Sequence, residues 1–351
     1  MATSVPGIDF ERLTPWFRAH VAPVDELSAE IIGHGRSNPT YRIQAGESSW
    51  VLRRPPLSHV QPTAHDMKRE FRVISALAGA DVPGPGTVAL CEDTAVNDAP
   101  FYIMEYVEGY VPADSAEFAR RFDEGTRRRI SEELVDTLVR LHSVVPDEIG
   151  LGDFGKPKGY TERQVRRFTE QLARVKTRDL PELEELARRL ASALPAEGDS
   201  GIVHGDYRLD NAILDEEGHI VALLDWEMAT LGDSLADVGL LMLYWADPEA
   251  GPGVAALGIA SSTVTALPGF LTRGEARARY AERSGRDLSN LDFYTVLAHF
   301  KLAVILENMH ARFLAGGTVG AGFEVIGQQV LVLTQSGLAV ADSSSMAALR
   351  G

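Results

Sequence analysis

The stretch from Ile202 to Glu227, IVHGDYRLDNAILDEEGHIVALLDWE, sets acidic and amide side chains between short apolar runs. Asp206 and Asn211 fall on one polar loop, HGDYRLDN, and Asp225 falls at the end of a later apolar run, LLDWE. Phosphoryl transfer from ATP needs such a set. A carboxylate must orient the attacking hydroxyl or take its proton, while an amide oxygen and a second carboxylate hold Mg²⁺ against the phosphates. Mg²⁺ is a hard cation that prefers oxygen and keeps several waters, so one Asn and one Asp suffice. Taken alone, the stretch also reads as a polar β-hairpin with caps and turns, and that alternative stays open at this point.

The spacing from His204 to Asn211 is H-x-D-x-x-x-x-N, the pattern of a kinase catalytic loop, with Gly205 where many protein kinases have Arg. His204 is expected to be a packed residue that orients the loop rather than a base. Three features upstream belong to the same chemistry. GHGRSNPTYRI joins two strand-like segments, and Gly33, Gly35, Ser37 and Asn38 offer backbone N–H groups to phosphates. WVLRR places Arg53 where a strand carries the basic residue that meets the α/β-phosphates, with Glu70 on the next helix as its ion-pair partner. FYIMEYVEG runs into a hinge, where backbone groups of Glu105 and Val107 are candidates for adenine. Each has a bland reading as surface Arg, solvated Glu or buried strand. Their occurrence together, in order and in the right contexts, favours an ATP–metal site.

The elements that must position these residues follow from periodicity. Residues 28–107 alternate or cluster β-formers that end in Gly or Pro, interrupted by HDMKREFRVISALAGA with an apolar stripe at Met67, Phe71, Ile74, Leu77 and Ala78. From about residue 112 the period becomes helical, as in SEELVDTLVRLHSV with Leu134, Leu138, Leu141 and Val145 on one face. The quoted stretch breaks the helical region with three short strands. This predicts an α+β chain. A small antiparallel β-sheet lobe with one helix spans 1–105, and a larger, mainly helical lobe spans 106–351, with EYVEGYVP as hinge. Lobes joined in this way commonly bind ligands between them.

Composition narrows the partners. The 351 residues carry a formal net charge of −16, which argues against nucleic acid or an anionic membrane surface as main partner. Cys91 is the only cysteine, so neither an intrachain disulfide nor a cysteine-based zinc site can form, and a reducing, cytoplasmic setting fits. The first twenty residues lack a signal-peptide apolar region, and the longest apolar run, VGLLMLYWA, is far too short to span a membrane.

The series HGDYRLDN, LLDWE and GDSLADVG resembles the aminoglycoside phosphotransferase-like superfamily, which has the protein-kinase-like fold, over essentially the whole chain. YRIQAGESSWVLRRPP, FGKPKGYTERQVRRFTEQ and TLGDSLADVGLLMLYW look like one subgroup, the kinase-like domains associated with acyl-CoA dehydrogenases. The resemblance implies ATP and Mg²⁺, with Asp206 as catalytic base, Asn211 and Asp225 as metal ligands, and Glu70 anchoring Arg53. Leu-Arg in place of the usual lysine is consistent with that subgroup. Ser234 departs from a position often held by proline, with only a local backbone effect expected. No dehydrogenase body is present in the sequence, so no flavin chemistry is expected, although a functional link to an acyl-CoA dehydrogenase is.

The leading expectation is a kinase acting on a small-molecule hydroxyl, with a hydroxyacyl-CoA or hydroxy acid favoured over an aminoglycoside. A CoA thioester brings phosphates that want Arg or Lys, and YTERQVRRFTEQLARVK supplies Arg163, Arg166, Arg167 and Arg174. A solvated charged helix explains those arginines equally well. The rival readings are a nucleotide-binding pseudokinase, supported by Arg53 in the lysine position, and an antibiotic kinase, supported by family likeness alone.

Overall fold

Alternation in TYRIQA and SSWVLR is what a sheet with two different faces requires. In the computed structural model both segments are strands. The structure describes residues 5–32, 38–57, 66–246, 260–317 and 322–351. Two compact units emerge, Met1–Gly109 with Val221–Ala229, and Tyr110–Ile220 with Thr230–Gly351.

The first unit opens with α1 (Phe10–His20), then β1 (Ser28–Ile32), β2 (Thr40–Ala45), β3 (Ser48–Arg53), α2 (Met67–Leu77), β4 (Thr87–Cys91), the short α3 (Thr94–Asn97) and β5 (Phe101–Glu105). The strands form an antiparallel sheet in the order β1-β2-β3-β5-β4. Leu52, Phe101 and Ile103 join Leu13 and Phe17 of α1 in one apolar cluster. The intervening residues Arg53 and Tyr102, register partners across β3 and β5, lie on the other face with α2. The helix α1 carries Pro15 inside it and is capped by Asp9, whose carboxylate accepts the Arg12 N–H. That proline hides the helix from a propensity reading. The α2 helix starts at Asp66, which caps the Arg69 N–H and so fixes Glu70 in the first turn.

The second unit contains α4 (Ser115–Arg121), α5 (Glu124–Ser143), α6 (Tyr160–Val175), α7 (Pro181–Ser192), β6 (Ser200–Val203) and β7 (Ala212–Leu214). Strand β8 (Ile220–Leu223) begins in this unit and continues into the first. Then come β9 (Thr230–Asp233), α8 (Leu235–Tyr244), α9 (Ala260–Thr265), α10 (Arg273–Ser284), α11 (Leu291–Leu314), α12 (Ile326–Ser343) and α13 (Ala347–Arg350). Helix α11 lies at the centre, packed by α6, α7, α8 and α12. Leu134, Leu138 and Leu141 of α5 are buried, but α5 ends at Ser143 and Val145 beyond it is 49% exposed. The expected stripe is therefore one residue shorter. Strand β6 pairs antiparallel with β9, setting Val203 opposite Thr230 and Ser200 opposite Asp233.

The α8–α11 contact depends on Gly239. A Cβ there would sit 2.4 Å from the backbone carbonyl carbon of Tyr294, and backbone cannot yield as a side-chain tip can. Gly239→Ala should therefore destabilise the chain by about 1–3 kcal/mol, the usual scale for overpacking, despite alanine's better helix propensity. Calorimetry of the two proteins should show the variant melting clearly lower, and equal midpoints would refute the close approach.

Candidate active site

In the second unit the catalytic-loop residues are positioned by one buried carboxylate. Asp237, in the first turn of α8, has no exposed surface. Its oxygens accept the backbone N–H groups of His204 at 2.6 Å and Gly205 at 2.8 Å, and lie 3.3 Å from His142 Nε2. His142 Nδ1 is 2.8 Å from the Tyr280 hydroxyl. Burial pushes the His142 pKa down, so the neutral imidazole donates Nε2–H to Asp237 and accepts from Tyr280. Burial also pulls Asp237 upward, but the hydrogen bond from His142 and the charge and N–H donors around it outweigh that, and its carboxyl lies below the ordinary value.

The loop leaves β6 through Gly205, whose φ of +86° favours glycine. His204 is fully buried and its Nδ1 accepts the Asp206 N–H at 3.3 Å, while the Tyr207 hydroxyl donates to the Leu134 carbonyl at 2.6 Å. Asp206 Oδ2 accepts from Asn211 Nδ2 at 2.9 Å and from Arg208 Nε at 3.3 Å. Asn211 Nδ2 also donates to the Asp206 carbonyl at 2.8 Å, which turns the amide oxygen away from Asp206. Ser234 has φ −59°, the angle a proline would impose, so its departure from proline leaves the backbone path unchanged. Its buried hydroxyl makes no hydrogen bond among the described residues.

In the first unit Asn38, Arg53, Glu70 and Asp225 come together. Arg53 Nε donates to Glu70 at 3.1 Å, its Nη2 pairs with Asp225, and the same nitrogen lies 3.6 Å from Glu227 Oε2. Glu70 is only 2% exposed and Arg53 12%. Burial raises the Glu70 pKa despite Arg53, and burial together with the Glu70 charge raises that of the Tyr102 hydroxyl beside them. Asn38 Nδ2 donates to Glu227 at 2.8 Å. Asp225 adopts φ +65° and ψ 59°, left-handed backbone that a non-glycine residue takes up at a cost. The following 3-10 turn, Trp226–Met228, is closed by Trp226 Nε1 donating to the Leu223 carbonyl.

Glu70, Asp225 and Glu227 thus all approach the Arg53 guanidinium. Among the described residues no three of these side chains form a metal-binding group by themselves, but the Asp225 carboxylate and the Asn211 amide are oxygen donors of the kind Mg²⁺ takes. Glu227 is absent from the sequence-level assignment. Its only signal is a second acid two residues after Asp225, within LLDWE. Asp237 was likewise missed as a site residue, although an acid inside the apolar run SLADVGLL is a visible clue. The Glu105 N–H is committed to the Gly86 carbonyl at 2.8 Å, and the Val107 N–H makes no backbone hydrogen bond among the described residues. Gly33, Gly35 and Ser37 lie outside the described residues. A cavity of about 420 Å³ lined by Lys158, Tyr160, Glu197 and Asp233 contains no catalytic-loop residue among its described walls.

The profile of the phosphotransferase enzyme family matches residues 28–283. Acyl-CoA dehydrogenase family member 10 of Mus musculus is 37% identical over 285 residues, which are 81% of this chain and 26% of that protein. Acyl-CoA dehydrogenase family member 11 of Homo sapiens is 31% identical over 308 residues, 87% of this chain and 39% of that protein. The chain therefore spans well under half the length of these curated relatives. Among solved structures, a Ralstonia eutropha protein provisionally assigned as an aminoglycoside phosphotransferase superposes with TM-score 0.81 and 32% identity, covering 95% of this chain and 98% of that one. An aminoglycoside phosphotransferase in ternary complex with streptomycin and ATP gives TM-score 0.57 at 16% identity, over 86% and 91% of the two chains, a likeness of fold.

Two outcomes follow from the charge arrangement. Arg53→Ala should cost about 3 kcal/mol of stability because it strands Glu70 without its cation, whereas Arg53→Lys should cost less, keeping the charge but losing the fork. Urea unfolding of the three proteins measures this, and an unaltered alanine variant would contradict the pairing. Separately, the unfolded chain takes up a proton at His142 below about pH 6.5 that the folded chain refuses. Stability should therefore fall from pH 7 to pH 5, while the depressed Asp237 loses its contribution only at lower pH. His142→Gln should flatten that fall by up to about 1.4 kcal/mol per pH unit, and an unchanged slope would mean the imidazole is already charged in the folded chain.

Proposed function

This chain belongs to the phosphotransferase enzyme family and by that membership is a small-molecule kinase; we propose that it moves the γ-phosphate of ATP to a hydroxyl of a hydroxyacyl-CoA or hydroxy acid. The observation that carries the reading is the Asp206 carboxylate, held by Asn211 and Arg208 on a loop that Asp237 anchors through two backbone N–H groups. A carboxylate fixed in this way is preorganised to orient an attacking hydroxyl and to take its proton as the new P–O bond forms.

In this reading Asn211 and Asp225 hold Mg²⁺ through oxygen. The metal and ATP, when bound, supply the transferable phosphoryl group and neutralise its charge. Arg53, anchored by Glu70, faces the phosphates, with Asn38 and the backbone of Gly33, Gly35 and Ser37 completing their cradle. The Val107 N–H and a backbone group of Glu105 address adenine. The acyl-CoA part rests on the relatives' names and on how little of those relatives the chain spans. The activity of this chain would then complement an acyl-CoA dehydrogenase rather than repeat it.

Asp206→Asn separates an enzyme from a binding module. The amide is nearly isosteric and alters neither proposed metal ligand, so folding and Mg·ATP binding should persist. Turnover should fall by about two or more orders of magnitude, mainly in kcat, because the lost interaction matters most in the transition state. Mass spectrometry of ATP-dependent phosphorylation across hydroxyacyl-CoAs, hydroxy acids and amino sugars supplies the assay. Full transfer by Asp206→Asn to a confirmed acceptor would overturn the assignment.

A further inference from the structure

Lys301 lies in the middle of α11 with its side chain half-buried. Among the described residues its ammonium makes no hydrogen bond and no ion pair. Its neighbour is the ring of Phe168, whose centroid is 5.5 Å from the ammonium. The guanidinium carbon of Arg167 lies 5.8 Å from the same centroid, and Arg167 also lacks a carboxylate partner among the described residues. Two cations therefore border one buried aromatic ring with no anion between them. Arg167 is exposed and solvated, but a half-buried ammonium such as that of Lys301 is normally paired, and a like charge beside it adds repulsion.

The surroundings explain why no internal acid answers them. Lys301 lines a pocket of only about 10 Å³ with Tyr160, Val203, Gly205, Asp237 and Leu297, room for no more than a water, so an anion reaches the half-buried ammonium from its exposed side. Asp237, the acid in that wall, is committed to the His204 and Gly205 N–H groups and to His142. Gly205 immediately precedes Asp206, so the unpaired ammonium shares a pocket with the loop that carries the proposed base. Burial and the adjacent Arg167 pull the Lys301 pKa down, while the charges of Asp237 and Asp206 act on it in the opposite sense. Of the other three arginines of α6, Arg163 donates to the carbonyls of Lys156 and Lys158, Arg166 faces Glu170, and Arg174 lies in the last turn of the helix.

We propose that Lys301, with Arg167, is the anion-recognising part of the acceptor site, so that the molecule phosphorylated near Asp206 carries a carboxylate or phosphate as well as its hydroxyl. This rests on the reading of Asp206 as the transfer site. It gives an acidic chain a local cationic pair, and local sign decides which ligand is admitted. A cationic amino sugar would be repelled by the same pair, and a neutral alcohol would leave both charges unanswered.

The test compares wild type, Lys301→Met and Lys301→Arg with four acceptors: 3-hydroxybutyrate, 3-hydroxybutyryl-CoA, 1,3-butanediol and kanamycin. The wild type should prefer the anionic pair. Lys301→Met should raise KM for an anionic acceptor by about tenfold or more, the scale of a lost charge-assisted contact, with a much smaller change in kcat or in KM for ATP. Lys301→Arg should recover most of the loss. An effect confined to 3-hydroxybutyrate identifies a carboxylate, and one confined to the CoA ester identifies its phosphates; either supports the proposal. Wild-type preference for the diol or kanamycin overturns it, as does a rise in KM for ATP instead. If the wild type phosphorylates nothing, the reading of Asp206 fails. Calorimetric binding of 3-hydroxybutyryl-CoA and 3-hydroxybutyrate then decides the anion site by itself. Tighter binding of either to wild type than to Lys301→Met keeps the site, and equal or absent binding removes it. Lys301→Met should melt no lower than wild type, because an unpaired half-buried charge is being removed. A lower midpoint with unaltered kinetics assigns a structural lysine and overturns the proposal.

Discussion

The geometry of the catalytic loop depends on the buried carboxylate of Asp237. A fully buried acid is costly unless its lone pairs are answered, and here the answer is the backbone of the turn that delivers Asp206. The bond works in both directions. The two N–H groups make the burial of Asp237 tolerable, and Asp237 forces the turn at Gly205 into left-handed backbone. His142 and Tyr280 extend the network to α5 and α10, so the loop is tied to two helices of its unit. Loss of any member would leave a buried polar group unpaired, which is why such networks specify one arrangement.

The first unit solves a different electrostatic problem. Arg53 is wide enough to hold Glu70 through Nε and Asp225 through Nη2 at once, which a lysine ammonium on its single-point stem does less well. The presence of Arg where lysine is usual is therefore compatible with a working phosphate site. Glu227 adds a third carboxylate and ties Asn38, the residue just after the Gly-rich segment, to the turn that follows Asp225. The left-handed backbone of Asp225, the proposed metal ligand, marks where local stability has been given up for position.

The proposed acceptor site has the opposite sign. The chain is strongly acidic as a whole, yet Lys301 lines the pocket it shares with Gly205, and the Phe168 ring beside it also carries Arg167. Net charge thus says little about the ligand. The cations are separated in sequence and meet only because α6 packs on α11.

Spacing and pattern single out what is local. His204, Asp206 and Asn211 fall within one loop, Arg53 ends a strand, and Glu70 sits in the first capped turn of a helix, so period, caps and short-range spacing expose them. The α+β division was legible for the same reason, since a change from alternating to helical periodicity is a one-dimensional signal. The helix at residues 10–20 was not, because Pro15 interrupts its propensity although Leu13 and Phe17 are buried against the sheet. Four things were left to tertiary structure. These are the partnership of Asp237 with a turn over thirty residues earlier, the approach of Glu227 to Asn38 and Arg53, the close packing that needs Gly239, and the pairing of Lys301 with Arg167. Each joins residues far apart in the chain, and each is set by packing and by the demand that buried charge be answered. A single sequence carries the residue types for those contacts, but distance along the chain holds no record of which of them will meet.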